Sequence, residues 1–176
     1  ELRGEPALPV LTSRALHQRI ARGGSIGRAT RDPERVAAFV VRSVERVIEA
    51  LFYYQVCCEQ LTLSLDFRDA PGRAMRSSLL ASTADSNELR DAALWLLPQV
   101  WRPPSATVHY MHVIADRLRP LVGRQRSLFE RPRVKDERIE GVKRQINDSV
   151  GRFVLRSGST LPLTDVYGDP ANSYDI

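Results

Sequence analysis

The sequence predicts an α+β fold, in which a four-stranded antiparallel sheet carries two helices on one face. From residue 61 to residue 68, apolar and polar side chains alternate, as in a strand with one apolar and one polar face. A long helical pattern precedes this strand. A strand-like run, a second helical pattern and another strand-like run follow it. Two amphipathic helices can cover the apolar side of such a sheet, which leaves the other side polar.

The first strand and the first helix are predicted on either side of residue 31. Residues 24–30 form a short strand whose polar face carries Ser25, Arg28 and Thr30. Asp32 is a good N-cap, and Pro33 suits the first helical position. Valine and leucine then recur at helical spacing, with arginine and glutamate on the other side, and the helix should end near residue 55.

The second half of the domain supplies two more strands and a helix. A turn signal at residues 69–72 precedes a partner strand over residues 73–80. Asp85 and Glu88 resemble a capping box and open the second helix, which Pro98 should kink or end early. Residues 106–114 are predicted as the last strand. The order β-α-β-β-α-β is the ferredoxin-like, split-βαβ arrangement.

The two ends of the chain differ from this domain. Residues 1–24 show no sustained period and are interpreted as a connector or the tail of a preceding domain. Apolar residues at helical spacing predict a helix over residues 134–150, and a strand is predicted over 152–155. From Ser157 onward, glycine, proline, aspartate and asparagine predict loop or disorder. Because the chain begins without Met, we expect it to be part of a longer protein.

Composition narrows the class of protein. The chain has 26 basic and 21 acidic residues and a formal charge of +5, which permits a nucleic-acid partner without proving one. Cys57 and Cys58 are adjacent, so geometry disfavours a disulfide between them, and two reduced thiols predict a cytoplasmic protein. No apolar run approaches the roughly 18 residues of a membrane span, so no membrane partner is expected.

No catalytic site, metal site or cofactor is predicted for this chain. It contains no glycine-rich phosphate loop, no HExxH sequence and no Cys/His cluster with metal-ligand spacing. The histidines are interpreted as surface or core residues. Asp66 and Asp69 are interpreted as turn formers rather than a metal-binding pair.

Residues 125–130 read Gln-Arg-Ser-Leu-Phe-Glu and resemble the bacterial sliding-clamp-binding motif. In that motif a glutamine and a Leu-Phe pair insert into a clamp pocket, so the candidate clamp-binding residues are Gln125, Ser127, Leu128 and Phe129. The alternative is that Leu128 and Phe129 pack onto their own domain. The hexapeptide alone leaves both interpretations open.

Several segments in a shared order resemble Y-family translesion DNA polymerases of the UmuC/DinB type. They are residues 1–4, 24–28 (Gly-Ser-Ile-Gly-Arg), 74–79 (Ala-Met-Arg-Ser-Ser-Leu), the clamp-like hexapeptide and residues 145–152. The resemblance implies the end of a thumb domain over 1–24, a little-finger domain over 25–120, a clamp-binding linker over 121–133 and a UmuC-like tail over 134–176. The palm domain, with its Mg²⁺-binding carboxylates, is absent from this chain.

The resemblance also implies a role for the polar sheet face. In the family the little finger grips primer–template duplex, so we expect this face to be lined with arginine for contacts with phosphates. The candidate DNA-binding residues are Ser25, Arg28, Thr30, Arg68, Arg73, Arg76, Ser77, Ser78 and Arg117. The parent protein would act in DNA damage tolerance, as part of the SOS response.

Three alternatives remain open from the sequence. The parent could be a catalytically inactive polymerase homologue. The domain could be an RNA-binding module of the RRM type, although the aromatic platform that such modules need is not predicted, because Phe67 lies on the apolar face. A purely structural protein–protein module would show no affinity for nucleic acid.

Overall fold

The computed structural model describes residues 17–121 and 134–167. In chain order, the elements are β1 (Arg19–Thr30), α1 (Pro33–Tyr53), β2 (Val56–Phe67), β3 (Arg73–Thr83), α2 (Ser86–Val100), β4 (Val108–Pro120), α3 (Val134–Val150), a 3₁₀ helix (Gly158–Leu163) and α4 (Thr164–Tyr167). The predicted order β-α-β-β-α-β is confirmed. The four candidate clamp-binding residues lie outside the described residues.

The four strands form one antiparallel sheet in the order β1-β4-β2-β3. Each β-α-β unit is split by a third strand, since β4 lies between β1 and β2, and β2 lies between β3 and β4. Leu61, Leu63 and Leu65 of β2 are fully buried beneath the helices, together with Val113 and Ala115 of β4. The predicted α+β class, with both helices on one face, is confirmed.

Both helices begin at the predicted caps. The Asp32 carboxylate accepts a hydrogen bond from the Glu34 N–H (3.0 Å), and the Asp85 carboxylate accepts one from the Glu88 N–H (2.9 Å). Pro98 does not end α2 early, because the helix continues to Val100. The Trp101 N–H still bonds to the Leu97 carbonyl (2.9 Å), and Val100 is buried, so packing holds the last turn in place.

Strand β1 begins earlier than predicted, at Arg19 rather than residue 24. Its first half pairs with β4, and this pairing brings the two backbones very close at Gly23. Gly23 has φ +154°, and a Cβ atom there would lie 2.0 Å from the Met111 carbonyl oxygen. Only glycine fits this position. The sheet therefore includes part of the segment that the sequence assigned to a linker.

The C-terminal segment packs on the polar side of α1. Lys143 Nζ lies 2.7 Å from Glu45 Oε1, and the Ser157 N–H donates to the same oxygen (2.9 Å). Arg152 forms a bidentate pair with Glu49 (2.8 and 2.6 Å), and Leu163 is fully buried. The prediction of a strand over 152–155 is wrong. The prediction of loop from Ser157 onward is wrong over Gly158–Tyr167, because contacts with α1 order this stretch.

The two cysteines are part of the core. Cys57 and Cys58 are unpaired with each other and fully buried. Burial raises the pKa of the Cys58 thiol to about 12, and its Sγ lies 3.6 Å from the Thr83 carbonyl oxygen. Both residues therefore act as small apolar side chains rather than reactive thiols.

Candidate nucleic-acid interface

One face of the sheet carries none of the helices formed by residues 17–121 and 134–167, and it is called the open face here. Cross-strand neighbours of an antiparallel sheet share a face, so the strand register assigns each residue to the open face or to the helix-covered face. Read from β1 across β4 and β2 to β3, the open face consists of four rows: Arg19, Asp116, Gln60 and Ser78; Ala21, Ile114, Thr62 and Arg76; Gly23, His112, Ser64 and Ala74; Ser25, Tyr110 and Asp66.

Only part of the predicted DNA-binding set lies on the open face. Ser25, Arg76 and Ser78 are there. Three others are placed on the helix-covered face by their pairing: Arg73 lies opposite Leu65, Ser77 opposite Leu61, and Thr30 opposite Val108. The Thr30 hydroxyl also accepts a hydrogen bond from the Asp32 N–H (3.0 Å) at the start of α1.

The expectation of an arginine-lined open face is therefore wrong for these four rows. These rows contain two arginines, Arg19 and Arg76, and also two aspartates, Asp66 and Asp116, so their formal charges cancel. The physical reason is that β3 is an edge strand with partial exposure on both faces, so Arg73 can stay in solvent on the helix-covered side. Whether the predicted residues bind DNA remains a prediction.

The remaining three candidates lie where the strands become irregular. Arg28 follows Gly27 (φ +73°), Arg68 follows a bulge after Asp66, and Arg117 itself has φ +53°. All three are exposed, and none forms a hydrogen bond through its side chain or an ion pair with another described residue. Their guanidinium groups are therefore available to an external anion.

Three of the predicted arginines share one end of the sheet, called the basic end here. Strands β1 and β2 finish at this end, and β3 and β4 begin there. The topology therefore brings together Arg28, Arg68 and Arg73 from distant parts of the chain. Arg117 lies at the opposite end.

Asp69 organises the loops at the basic end. Its carboxylate accepts hydrogen bonds from the Thr107 N–H (2.7 Å) and hydroxyl (2.8 Å) and pairs with Arg31 (2.5 Å). These bonds, the Thr107 N–H first and Arg31 next, hold the pKa of Asp69 well below its usual range. Asp69 therefore joins the β2–β3 turn to the start of β4, and it neutralises Arg31 locally.

A polar chain crosses the open face with one residue from each strand. Arg76 Nε lies 3.4 Å from the Thr62 hydroxyl, which lies 3.4 Å from Asp116 Oδ2, and Asp116 Oδ1 lies 3.3 Å from Arg19 Nε. Thr62 can donate its single hydroxyl hydrogen to Asp116 while it accepts from Arg76. This contact holds Arg76 along the face, where it forms no ion pair with a described carboxylate.

Two aromatic rings lie on the open face, and the sequence reasoning missed them. Tyr110 and His112 of β4 are in neighbouring rows, with ring centroids 5.1 Å apart in an edge-to-face arrangement. The prediction that Phe67 of β2 lies on the apolar face is confirmed, because Phe67 is buried, but the neighbouring strand β4 carries an aromatic pair that was not predicted. From Tyr110 onward, polar or half-buried residues alternate with the buried residues Met111, Val113 and Ala115, and this alternation could have revealed the pair.

Within residues 17–121 and 134–167, no group of three or more His, Cys, Asp or Glu side chains could hold a metal ion. No helix in the described part of the chain is long and apolar enough to cross a membrane.

Comparison with known proteins identifies the family. The family model described as "impB/mucB/samB family C-terminal domain" matches residues 17–128, which include all four strands and both helices of the sheet domain. The chain belongs to this family. Its sheet domain is the C-terminal domain that this family model describes, and the predicted resemblance to the Y-family little-finger domain is confirmed. A comparison with curated proteins found no match.

Solved structures of Y-family proteins resemble the chain at low identity. A Y-family DNA polymerase chimera of Dbh and Dpo4 gives a TM-score of 0.44 at 15% identity, over 67% of this chain and 33% of that one. The little-finger domain of PolIV, in a complex with the beta-clamp processivity factor, gives 0.47 at 13%, over 64% and 99%. DinB from Sulfolobus solfataricus gives 0.43 at 14%, over 56% and 28%. The chain thus spans a third or less of the chimera and of DinB.

Proposed function

We propose that this little-finger domain holds primer–template duplex DNA for a Y-family translesion polymerase and tethers that polymerase to a sliding clamp. Family membership over residues 17–128 is the observation that carries the proposal. The catalytic carboxylates and their Mg²⁺ would belong to a palm domain outside this chain. The described residues would supply DNA contacts, and the parent protein would act in damage tolerance in the cytoplasm.

The DNA contacts would come from the basic end and from the adjoining part of the open face. Arg28 and Arg68 are exposed and have no described carboxylate partner, and Arg76 is held along the open face by Thr62. The Ser25 hydroxyl accepts from the Gly27 N–H (3.2 Å) and can still donate its own hydrogen to a phosphate oxygen. Arg73 would add positive charge from the edge of the sheet.

Contacts of this kind position a duplex without reading its sequence. Arginine binds phosphate through charge and paired hydrogen bonds, and each neutralised phosphate releases counterions. A polymerase that copies damaged templates needs such sequence-independent binding, because the template sequence and the lesion both vary. The mixed charge of the four open-face rows restricts the strongest phosphate contacts to the basic end and Arg76.

Salt-dependent titration of a primer–template duplex tests the DNA contacts. Replacing Arg28 or Arg76 by alanine should weaken binding and lower the slope of log affinity against log salt by about 0.9 for each lost phosphate contact. Arg90→Ala is the control, because it removes the same charge from α2 on the other side of the sheet. If both test variants keep the wild-type slope, or if Arg90→Ala lowers it equally, the assignment of these contacts fails.

The clamp contact rests on the sequence of residues 125–130. A Gln-x-Ser-Leu-Phe segment can place two apolar side chains in a groove, and a tether of this kind raises the effective concentration of the polymerase at the clamp. Replacing Leu128 and Phe129 by alanine should abolish binding to a bacterial sliding clamp in a pull-down or calorimetric titration.

A matched control separates this contact from a general loss of apolar surface. Val154 and Leu155 are exposed and lie in the loop after α3, so replacing both by alanine should leave clamp binding unchanged. Retained binding in the Leu128/Phe129 variant would refute the clamp assignment and leave the DNA proposal untouched.

A further inference from the structure

The middle of the open face combines two aromatic rings with very small neighbours. His112 lies between Gly23 of β1 and Ser64 of β2, and Ala74 of β3 completes its row. Gly23 cannot carry a larger side chain, because a Cβ atom would lie 2.0 Å from the Met111 carbonyl oxygen. The rings therefore stand above a shallow surface with no bulky side chain beside His112 in its row.

The rings do not serve the core of the domain. They lie on the side of the sheet opposite α1 and α2, and Tyr110 is 37% exposed. They contact each other edge to face, which leaves part of each ring surface available to a third ring. The ring pair therefore lies outside the hydrophobic core, on the side of the sheet away from α1 and α2.

The charges around the rings favour a neutral planar group at this position. Asp66 pairs with Tyr110 across the strands, and its carboxylate would repel a phosphate there. Cations lie on both sides: Arg76 is one row beyond His112, and Arg28 and Arg68 are at the basic end beyond Tyr110. A nucleic-acid strand places neutral bases between charged phosphates, and this pattern matches the order of charges along the face.

We propose that Tyr110 and His112 form a stacking site for an unpaired base of single-stranded DNA. Bases inside a duplex are stacked on one another, so only an unpaired base can present its flat surface to a side chain. Arg76 and the basic end hold the flanking phosphates. The site goes beyond the duplex contacts described above, and it requires only that a single strand reaches the open face.

Paired oligonucleotides test the site directly. The probes are a short oligothymidylate and an oligomer of the same length and charge with abasic sites in place of its bases, both followed by fluorescence anisotropy. The wild-type protein should bind the oligothymidylate about 5- to 150-fold more tightly, which corresponds to stacking of one base. The ratio of the two affinities, oligothymidylate over abasic oligomer, measures the stacking, and a ratio close to one would overturn the proposal.

Substitutions of Tyr110 and His112 test whether the two rings cause the tighter binding of the oligothymidylate. Tyr110→Val and His112→Val keep a residue that favours strands and remove the ring, and each should reduce the ratio toward one. Tyr110→Phe keeps the ring and should keep the ratio. Trp95→Ala removes a 60% exposed ring from α2 and should also keep it. An unchanged ratio in both valine variants, or an equal loss in Trp95→Ala, would overturn the proposal.

The outcome is separable from that of the proposed function. Tyr110→Val and His112→Val remove no formal charge, so they should leave the salt slope for primer–template duplex unchanged. Arg76→Ala should weaken both oligomers in parallel, because it removes a phosphate contact and leaves the rings in place. A change in the duplex slope with either valine variant would count against a separate stacking site.

Discussion

Replacing Leu163 by alanine should loosen the C-terminal segment from α1. Leu163 is fully buried and belongs to the 3₁₀ helix that packs on α1, whereas Leu161 in the same helix is 64% exposed. The two residues therefore offer the same chemical change in two environments. Leu163→Ala tests the docked arrangement of the segment, and Leu161→Ala is its control.

The expected magnitude follows from burial. A buried leucine replaced by alanine costs about 2 to 5 kcal/mol, and the cost is smallest where the surroundings can collapse into the space. The 3₁₀ helix is a surface element that can relax, so we expect about 2 to 3 kcal/mol, which lowers the Tm by roughly 4 to 12 °C in a chain of this size. Leu161→Ala should change the free energy of unfolding by no more than about 0.5 kcal/mol.

Hydrogen exchange distinguishes local release from global unfolding. The Thr160 N–H bonds to the Ser157 carbonyl (3.0 Å), and Thr160 is buried. Its exchange should accelerate about 30- to 160-fold in Leu163→Ala if the segment opens locally, while amides of β2 report the global free energy. Urea unfolding of both variants completes the comparison. Equal destabilisation by the two variants, or unchanged Thr160 exchange in Leu163→Ala, would refute the docked arrangement.

Two further predictions concern the sheet and the loops at its basic end. Gly23→Ala should lower the Tm more than Gly24→Ala does. Both residues have positive φ, but only at Gly23 would an added Cβ atom lie against backbone, 2.0 Å from the Met111 carbonyl oxygen. An equal loss of Tm in the two variants would contradict the β1–β4 register. Asp69→Asn should remove the contribution that the ionised Asp69 carboxylate makes to folding stability, and this contribution depends on pH in the acidic range. Since the folded-state pKa of Asp69 is lowered from 3.8, its carboxylate stabilises the fold above that pH and loses this effect as the pH falls further. The wild-type advantage in Tm over Asp69→Asn should therefore shrink below pH 3.8, and a constant advantage would contradict the assignment.

The sequence predicted the element order because each element has a local signal. Alternation marks β2, and the aspartate caps at residues 32 and 85 mark the starts of α1 and α2. These signals depend only on backbone hydrogen bonds and on which side chains avoid water, so they can be read without knowledge of the tertiary fold.

The features that the sequence did not predict depend on contacts between distant segments. β1 begins in a glycine-rich stretch with little apolar alternation, and its extent is set by pairing with β4. The face of Arg73 depends on the register of an edge strand that is largely exposed on both sides. The order of residues 158–167 comes from burial of Leu163 and from the Glu45 and Glu49 contacts, which no local pattern reveals.

In the candidate site, too, residue types could be predicted from the sequence, whereas their positions on the sheet could not. The number and type of arginines were visible in the sequence, and their general association with DNA came from the family resemblance. Their separation into Arg76 on the open face, Arg28 and Arg68 at the basic end, and Arg73 on the helix-covered face needed the register. The aromatic pair was missed because a bulge near Phe67 and Val108 interrupts the alternation just before Tyr110.

An NMR titration with primer–template duplex tests the central claim most directly. Amide shifts in the ¹⁵N-labelled chain should concentrate at Arg28, Arg68 and Arg76, and the exposed faces of α1 and α2 should remain unperturbed. If the largest shifts fall on those helices while the open face and the basic end stay unchanged, the domain does not hold DNA in the proposed way.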